Sequence, residues 1–115
     1  MKQGKIWGLT EELFDKNNVS IHRIEANAGF MCSKHFHAHK HNVFFVEKGM
    51  LKIEVWQKDY ELVDETVITD GEKTSVPPGL YHRFSAIEDT IAFEIYYVEL
   101  DNKDIVRETV GDKME

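Results

Sequence analysis

Period-two alternation constrains this chain more than any other feature. Within "NVFFVEKGMLKIEVWQ" (42–57), Leu51, Ile53 and Val55 fall on one side of an extended backbone and Lys52, Glu54 and Trp56 on the other. A helix would scatter both sets around its circumference. The stretch therefore predicts strand, a tight turn at Lys48-Gly49, then strand. "VSIHRIEA" (19–26) alternates in the same way. "YELVDETVIT" (60–69) is rich in β-formers, with a break expected near Asp64-Glu65. "GEKTSVPPGLYHRFSA" (71–86) is punctuated at Gly71 and at Pro77-Pro78-Gly79, and "TIAFEIYYVEL" (90–100) reads as a strong strand. Only 9–16 and 101–109 could hold a helical turn. Short strands at roughly 8- to 12-residue spacing with turn signals between them predict an all-β sandwich or barrel.

The 115 residues suffice for one domain with its own core, 1–115, and not for a second cofactor-binding domain. The net charge of −7 repels phosphate backbones and argues against a nucleic-acid partner. No apolar run approaches the roughly 20 residues that span a bilayer, so no membrane partner is expected. "MKQGKIWG" lacks the apolar segment of an export signal, and the single cysteine, Cys32, permits no internal disulfide. A cytoplasmic location is the expectation.

The chemistry concentrates in "HFHAHKHN" (35–42), with histidines at 35, 37, 39 and 41 followed by Asn42. Residues i and i+2 of an extended chain share a face, so two imidazoles at that spacing can converge on one cation. His35 and His37 have this spacing, and His82, delivered by the "PPGLY" turn, is a remote third ligand. His39 and His41 fall toward an expected hairpin loop. A solvated His-rich loop would look the same in sequence. His22 has no partner in sequence and reads as an exposed or hydrogen-bonded strand residue. Glu94 in "AFEIYY" could serve as a general acid or base. Tyr81 and Tyr96 could bond a hydroxylated substrate or simply pack. Arg83, next to His82, should point away from the ligand face. Cys32 reads as a buried small hydrophobe.

The spacings resemble the two cupin motifs. Gly29, His35, His37, Asn42 and Gly49 form the first (29–49), and Gly71, Pro77, Gly79 and His82 the second (71–86). The resemblance implies a double-stranded β-helix, or jelly-roll barrel, with His35, His37, Asn42 and His82 about one divalent transition metal (zinc, manganese, iron or nickel). Phe44, Val46, Leu51, Ile53 and Phe84 would form the apolar shell, with Phe44 placed to meet substrate. The family normally has glutamate at the position of Asn42 and asparagine at that of Ala86. Nearly end to end, through "GKIWGLTEELF", "YHRF" and "DNKDIVRETVG", the chain is similar to the C-terminal cupin domain of type II mannose-6-phosphate isomerases. That family has glutamine where His35 stands, and a basic C-terminal residue where this chain reads Val110-Gly111-Asp112.

Asparagine offers a neutral carbonyl in place of a carboxylate, so three neutral imidazoles would dominate the inner shell. Such a set suits transition metals better than magnesium or calcium. Strand parity lets only one of His41 and Asn42 face inward, and motif spacing favours Asn42. Three functions follow: a metal-dependent isomerase or epimerase acting on a sugar or sugar phosphate, a three-His iron dioxygenase, or a non-catalytic module binding a small molecule. The resemblance, with apolar outer positions Trp56, Tyr97 and Val98, implies a homodimer. Trp7 would cover the barrel or lie at that interface.

Overall fold

The computed structural model describes residues 2–58 and 61–98, with 104, 106, 108, 111, 113 and 114. Among the described residues nine strands form: β1 (Lys2–Lys5), β2 (Gly8–Lys16), β3 (Val19–Ala26), β4 (His41–Lys48), β5 (Met50–Trp56), β6 (Val63–Thr69), β7 (Lys73–Val76), β8 (Tyr81–Ala86) and β9 (Thr90–Tyr97). All pairings are antiparallel, and they make a six-stranded sheet in the order β1-β2-β3-β9-β4-β7 and a three-stranded sheet in the order β6-β5-β8. This is the expected all-β jelly roll.

Alternation sets which side chains meet between the sheets. Ile24, Phe44, Val46 and Ala92 point inward from the larger sheet, and Leu51, Ile53, Ile68 and Phe84 from the smaller; all are buried. Gly49 makes the β4–β5 turn with φ +120°, where a Cβ would lie 2.6 Å from the Asp89 carbonyl oxygen. Only glycine fits there without a shift of backbone.

The segment joining β3 to β4 is not strand. It runs along the free edge of β8 through backbone bonds Gly29 N to Ala86 O, Ala86 N to Phe30 O, Cys32 N to Phe84 O and the reciprocal pair His35 N to His82 O and His82 N to His35 O. Gly79 N then donates to His37 O at 2.8 Å. The two motifs are thus tied together by main-chain bonds.

Two expectations are corrected. Residues 9–16 are strand rather than helical turn, because β2 is paired to β1 on one side and β3 on the other, and that ladder overrides the helix propensity of "TEEL". β6 runs unbroken through Asp64 and Glu65, each opposite a β5 residue. The expected turn at 101–109 and the Val110-Gly111-Asp112 ending lie largely outside the described residues.

Candidate metal centre and cavity

His35, His37 and His82 meet at one end of the barrel. Their ligand nitrogens lie within 4.8 Å of one another, close to the span that two atoms about 2.1 Å from a shared ion can bridge. Ring centroids are 5.0 Å apart for His35 and His37, 4.6 Å for His35 and His82, and 5.4 Å for His37 and His82. Backbone carbonyls fix two of the tautomers. His35 Nδ1 lies 2.8 Å from Ser33 O, and His82 Nδ1 lies 3.0 Å from Leu80 O. A carbonyl only accepts, so each Nδ1 carries the proton and each Nε2 presents a lone pair. This is the outer support that a metal-binding imidazole needs.

Burial favours the neutral form of His37 and of His82. It lowers the His37 pKa to about 4, with further lowering from His35, His82 and Lys40. Burial also lowers that of His82, against an upward pull from the Leu80 carbonyl. Neutral imidazole is the ligand form.

Asn42 is 1% exposed and turns inward between these rings and an acid. Its Nδ2 donates to Glu94 Oε2 at 3.3 Å and to His82 Nε2 at 3.4 Å. Tyr96 Oη donates to the same Glu94 oxygen at 2.5 Å. Burial and the adjacent Glu94 carboxylate raise the Tyr96 pKa, so the phenol stays protonated. Two buried atoms find no hydrogen-bond partner among the described residues: His37 Nε2 and Asn42 Oδ1. Unpaired buried groups cost about 1–3 kcal/mol each. A cation held by the three imidazoles would use the first lone pair directly and lie beside the second, so these residues fit a divalent transition metal.

A cavity of about 660 Å³ opens beside the centre, lined among others by Trp7, Thr10, His22, Cys32, His35, Glu94 and Tyr96. Trp7 packs edge-on to Phe84, with ring centroids 4.9 Å apart, and walls one side.

A cupin family model matches residues 3–112. The chain belongs to the cupin family. No curated protein sequence matches it. Among solved structures this cupin is similar to KdgF from Halomonas sp., with TM-score 0.73, 13% identity and 89% of each chain covered. It is similar to the oxalate decarboxylase of Bacillus subtilis, with TM-score 0.76 and 13% identity over 85% of this chain and 27% of that one. It is also similar to the capsular polysaccharide assembling protein CapF of Staphylococcus aureus, with TM-score 0.73 and 18% identity over 90% of this chain and 32% of that one. The cupin thus spans under a third of the latter two chains. At these identities the likeness is one of fold.

Of the sequence-derived site residues, the fold brings together His35, His37, Asn42, His82, Glu94 and Tyr96. It leaves two apart. Tyr81 neighbours His82 in β8 and so faces outward, 46% exposed and edge-on to Phe36. It does not reach the cavity. Phe44 is 1% exposed and sits beneath His82 and Phe84, so it supports the site from the core and offers no surface to a ligand. His41 lies on the outer face, stacked on Tyr97, while His39 is exposed. Arg83 also faces outward and binds Glu54 Oε1 through Nε and Nη2 at 3.1 and 3.0 Å. Cys32 is half-buried in the cavity wall, where burial pushes its thiol up to about 12. His22 exceeds its sequence reading. It stands opposite Glu94 in register, bonds Ser20 Oγ at 3.0 Å and lines the cavity. Its parity with buried Ile24 and Ala26 was the available signal.

Proposed function

We propose that this cupin holds one divalent transition metal on His35, His37 and His82 and acts on a small hydroxylated carbonyl compound of the sugar type by moving a proton. The observation carrying this reading is the convergence of three imidazoles, two with an Nδ1 proton held on a backbone carbonyl, beside a carboxylate that lines a ligand-sized cavity. When bound, the metal supplies Lewis acidity toward a carbonyl or hydroxyl oxygen. Glu94 is the base that takes a proton from the carbon next to the carbonyl and returns it to a neighbouring position or the opposite face. Tyr96 and Asn42 both bond Glu94 Oε2 and so fix the direction of the carboxylate. Trp7 excludes water from one side of the cavity. Isomerisation or epimerisation is the reaction class, with mannose-6-phosphate-type sugars one candidate substrate. Neighbours in fold include a capsular polysaccharide assembling protein and a decarboxylase with Mn(II) centres, which agrees with sugar-related and metal-dependent roles for this barrel. A three-His set without a carboxylate ligand also suits iron and favours, as the second reading, a dioxygenase.

The test begins with metal content by mass spectrometry on untagged protein, with His37→Ala and His82→Ala alongside. Near-stoichiometric metal lost in both variants is expected. Loaded protein is then incubated with aldose and ketose sugars and their phosphates in deuterated water. Carbon-bound deuterium in the wild type, lost in Glu94→Gln while metal is kept, supports the proposal. Oxygen consumption would transfer support to the dioxygenase. Ligand binding without turnover would leave a binding module, and no metal under any loading condition would end both enzyme readings.

A further inference from the structure

The two walls of the cavity differ in chemistry. The six-stranded sheet contributes Lys5, Thr10, His22, Glu94 and Tyr96. The facing wall is β8 with the segment bonded along its edge, and it contributes Met31, Cys32, Ser33, His35 and Phe84. His35 is a ligand in the proposed centre, and burial pushes the Cys32 thiol up to about 12, so that thiol does not exchange protons near neutral pH. Among the described lining residues, the groups free to carry a proton therefore stand on one wall. Two of them are adjacent. β3 pairs with β9 so that His22 is opposite Glu94, and both line the cavity; side chains so placed have Cβ atoms about 4.5–5.5 Å apart. Ser20 Oγ holds His22 Nε2 at 3.0 Å, and the ring meets Tyr96 edge-on with centroids 5.7 Å apart. The other ring nitrogen, Nδ1, has no hydrogen-bond partner among the described residues and is left for a ligand. Glu12 of β2 stands on the far side of His22 in the same row, exposed and outside the cavity lining. Lys5 shares the wall, but its row runs through Ala26, about 13 Å along β3 from His22, which sets it toward a different part of a bound molecule.

We infer that His22 is a second proton-carrying group of this site, and that the reaction is a shift of hydrogen between neighbouring carbons on one face of the substrate, the interconversion of an aldose-type and a ketose-type hydroxy carbonyl compound. This rests on the reading of the centre given above and chooses between its two reaction classes. Inverting a carbon in place calls for an acceptor on one face and a donor on the other, and the facing wall supplies no such group. Moving hydrogen to the neighbouring carbon calls for two transfers on the same side. Glu94 takes the hydrogen of the hydroxyl-bearing carbon as a proton, the electrons of that C–H bond form the double bond of an enediol, and His22 gives a proton to the former carbonyl oxygen. His22 then takes the proton of the neighbouring hydroxyl, whose oxygen becomes the new carbonyl, while Glu94 returns its proton to the former carbonyl carbon. Both groups end as they began, and no oxidant or co-reactant is consumed. Tyr96 and Asn42 both hold Glu94 Oε2, which leaves Oε1 for the carbon-bound hydrogen. Adjacent places on neighbouring strands suit the adjacent carbon and oxygen atoms of one sugar unit.

The experiment follows carbon-bound hydrogen and sugar conversion separately, on the metal-loaded full chain in deuterated water, with whichever aldose or ketose of the panel above exchanges fastest. The wild type is expected to do both. His22→Gln is expected to keep its metal and its circular dichroism spectrum, to hold deuterium exchange into recovered substrate within about tenfold of wild type, and to lose conversion by about 100-fold or more. Glu94→Gln loses both. Ser20→Ala, which frees the His22 ring, loses conversion more than exchange and reads the same split should His22→Gln not fold. In ordinary water, a substrate deuterated at the hydroxyl-bearing carbon is expected to pass part of its label to the neighbouring carbon of the product, as one base on one face allows. A folded His22→Gln protein that loses exchange and conversion in equal measure, or loses neither, would overturn the role of His22 and leave that of Glu94 standing. An epimer as the main product would overturn the single-face reaction. No carbon-bound deuterium in the wild type with any sugar of the panel would overturn the proposed function and this inference together.

Discussion

Asn42→Asp is the substitution that most sharply tests how the centre is balanced. The side chains are nearly the same size, but the change turns a donor into a carboxylate oxygen where Nδ2 now lies 3.3 Å from Glu94 Oε2. Two carboxylates about 4 Å apart repel by about 4 kcal/mol at an effective dielectric of 20. The folded protein can escape by binding one proton, and for an ordinary aspartate this costs about 4 kcal/mol at pH 7 and about 1.5 kcal/mol at pH 5. The two limits agree. The metal-free variant should lose about 4 kcal/mol relative to wild type at pH 7 and only about 1.5–2 kcal/mol at pH 5. The sign follows from linkage: the folded pair holds a proton that the unfolded chain has released, so stability falls as pH rises through this window. A divalent cation on the three histidines should neutralise the pair and return most of the loss. Asn42→Ala, which removes the hydrogen bonds without adding charge, should cost about 1–3 kcal/mol with no such pH dependence. Urea unfolding at pH 5 and 7, with chelator and then with metal, measures all of these. A metal-free Asn42→Asp protein within about 1 kcal/mol of wild type at pH 7, or one whose deficit is the same at both pH values, would refute the reasoning.

Three further outcomes are expected. His37 has a folded pKa of about 4 against an ordinary 6.5, so between these values only the unfolded chain takes up the proton. Metal-free stability should therefore rise with pH through that window by about 1–2 kcal/mol, after discounting for partial exposure, and the rise should shrink in His37→Gln when followed by urea unfolding. Arg83→Met leaves the Glu54 carboxylate, 8% exposed, without its two guanidinium bonds; a loss of about 2–4 kcal/mol is expected, largely recovered in the double variant with Glu54→Leu, as thermal unfolding would show. Gly49→Ala forces a methyl against the Asp89 carbonyl at positive φ, and a loss of about 2–4 kcal/mol is expected in chemical denaturation.

What could be read from sequence and what could not divides along one physical line. Period-two alternation is a local property of the chain, and it located β3 and the β4–β5 hairpin together with the inward residues Leu51 and Ile53. The β2 strand escaped it because "TEELFDK" carries no clean alternation and is held by its neighbours on both sides, with a bulge between Glu12 and Phe14. The histidine spacing likewise singled out His35, His37 and His82, although not for the reason first given. Residues 32–40 form no ladder strand, and His35 and His37 are aimed by the bridge to His82 and by the Gly79–His37 bond. Tyr81 shows the reverse case. Its chemistry suited substrate binding, yet adjacency to an inward His82 already placed it outside. His22 shares the inward parity of Ile24 and Ala26, but only the β3–β9 register sets it opposite Glu94. That register depends on two strands separated by most of the chain, and nothing local encodes it. Parity thus fixes which face a side chain takes, and pairing fixes whom it meets there. The candidate centre draws on both, since Asn42 faces inward by parity but acquires its chemical environment, Glu94 and Tyr96, only because β4 pairs with β9.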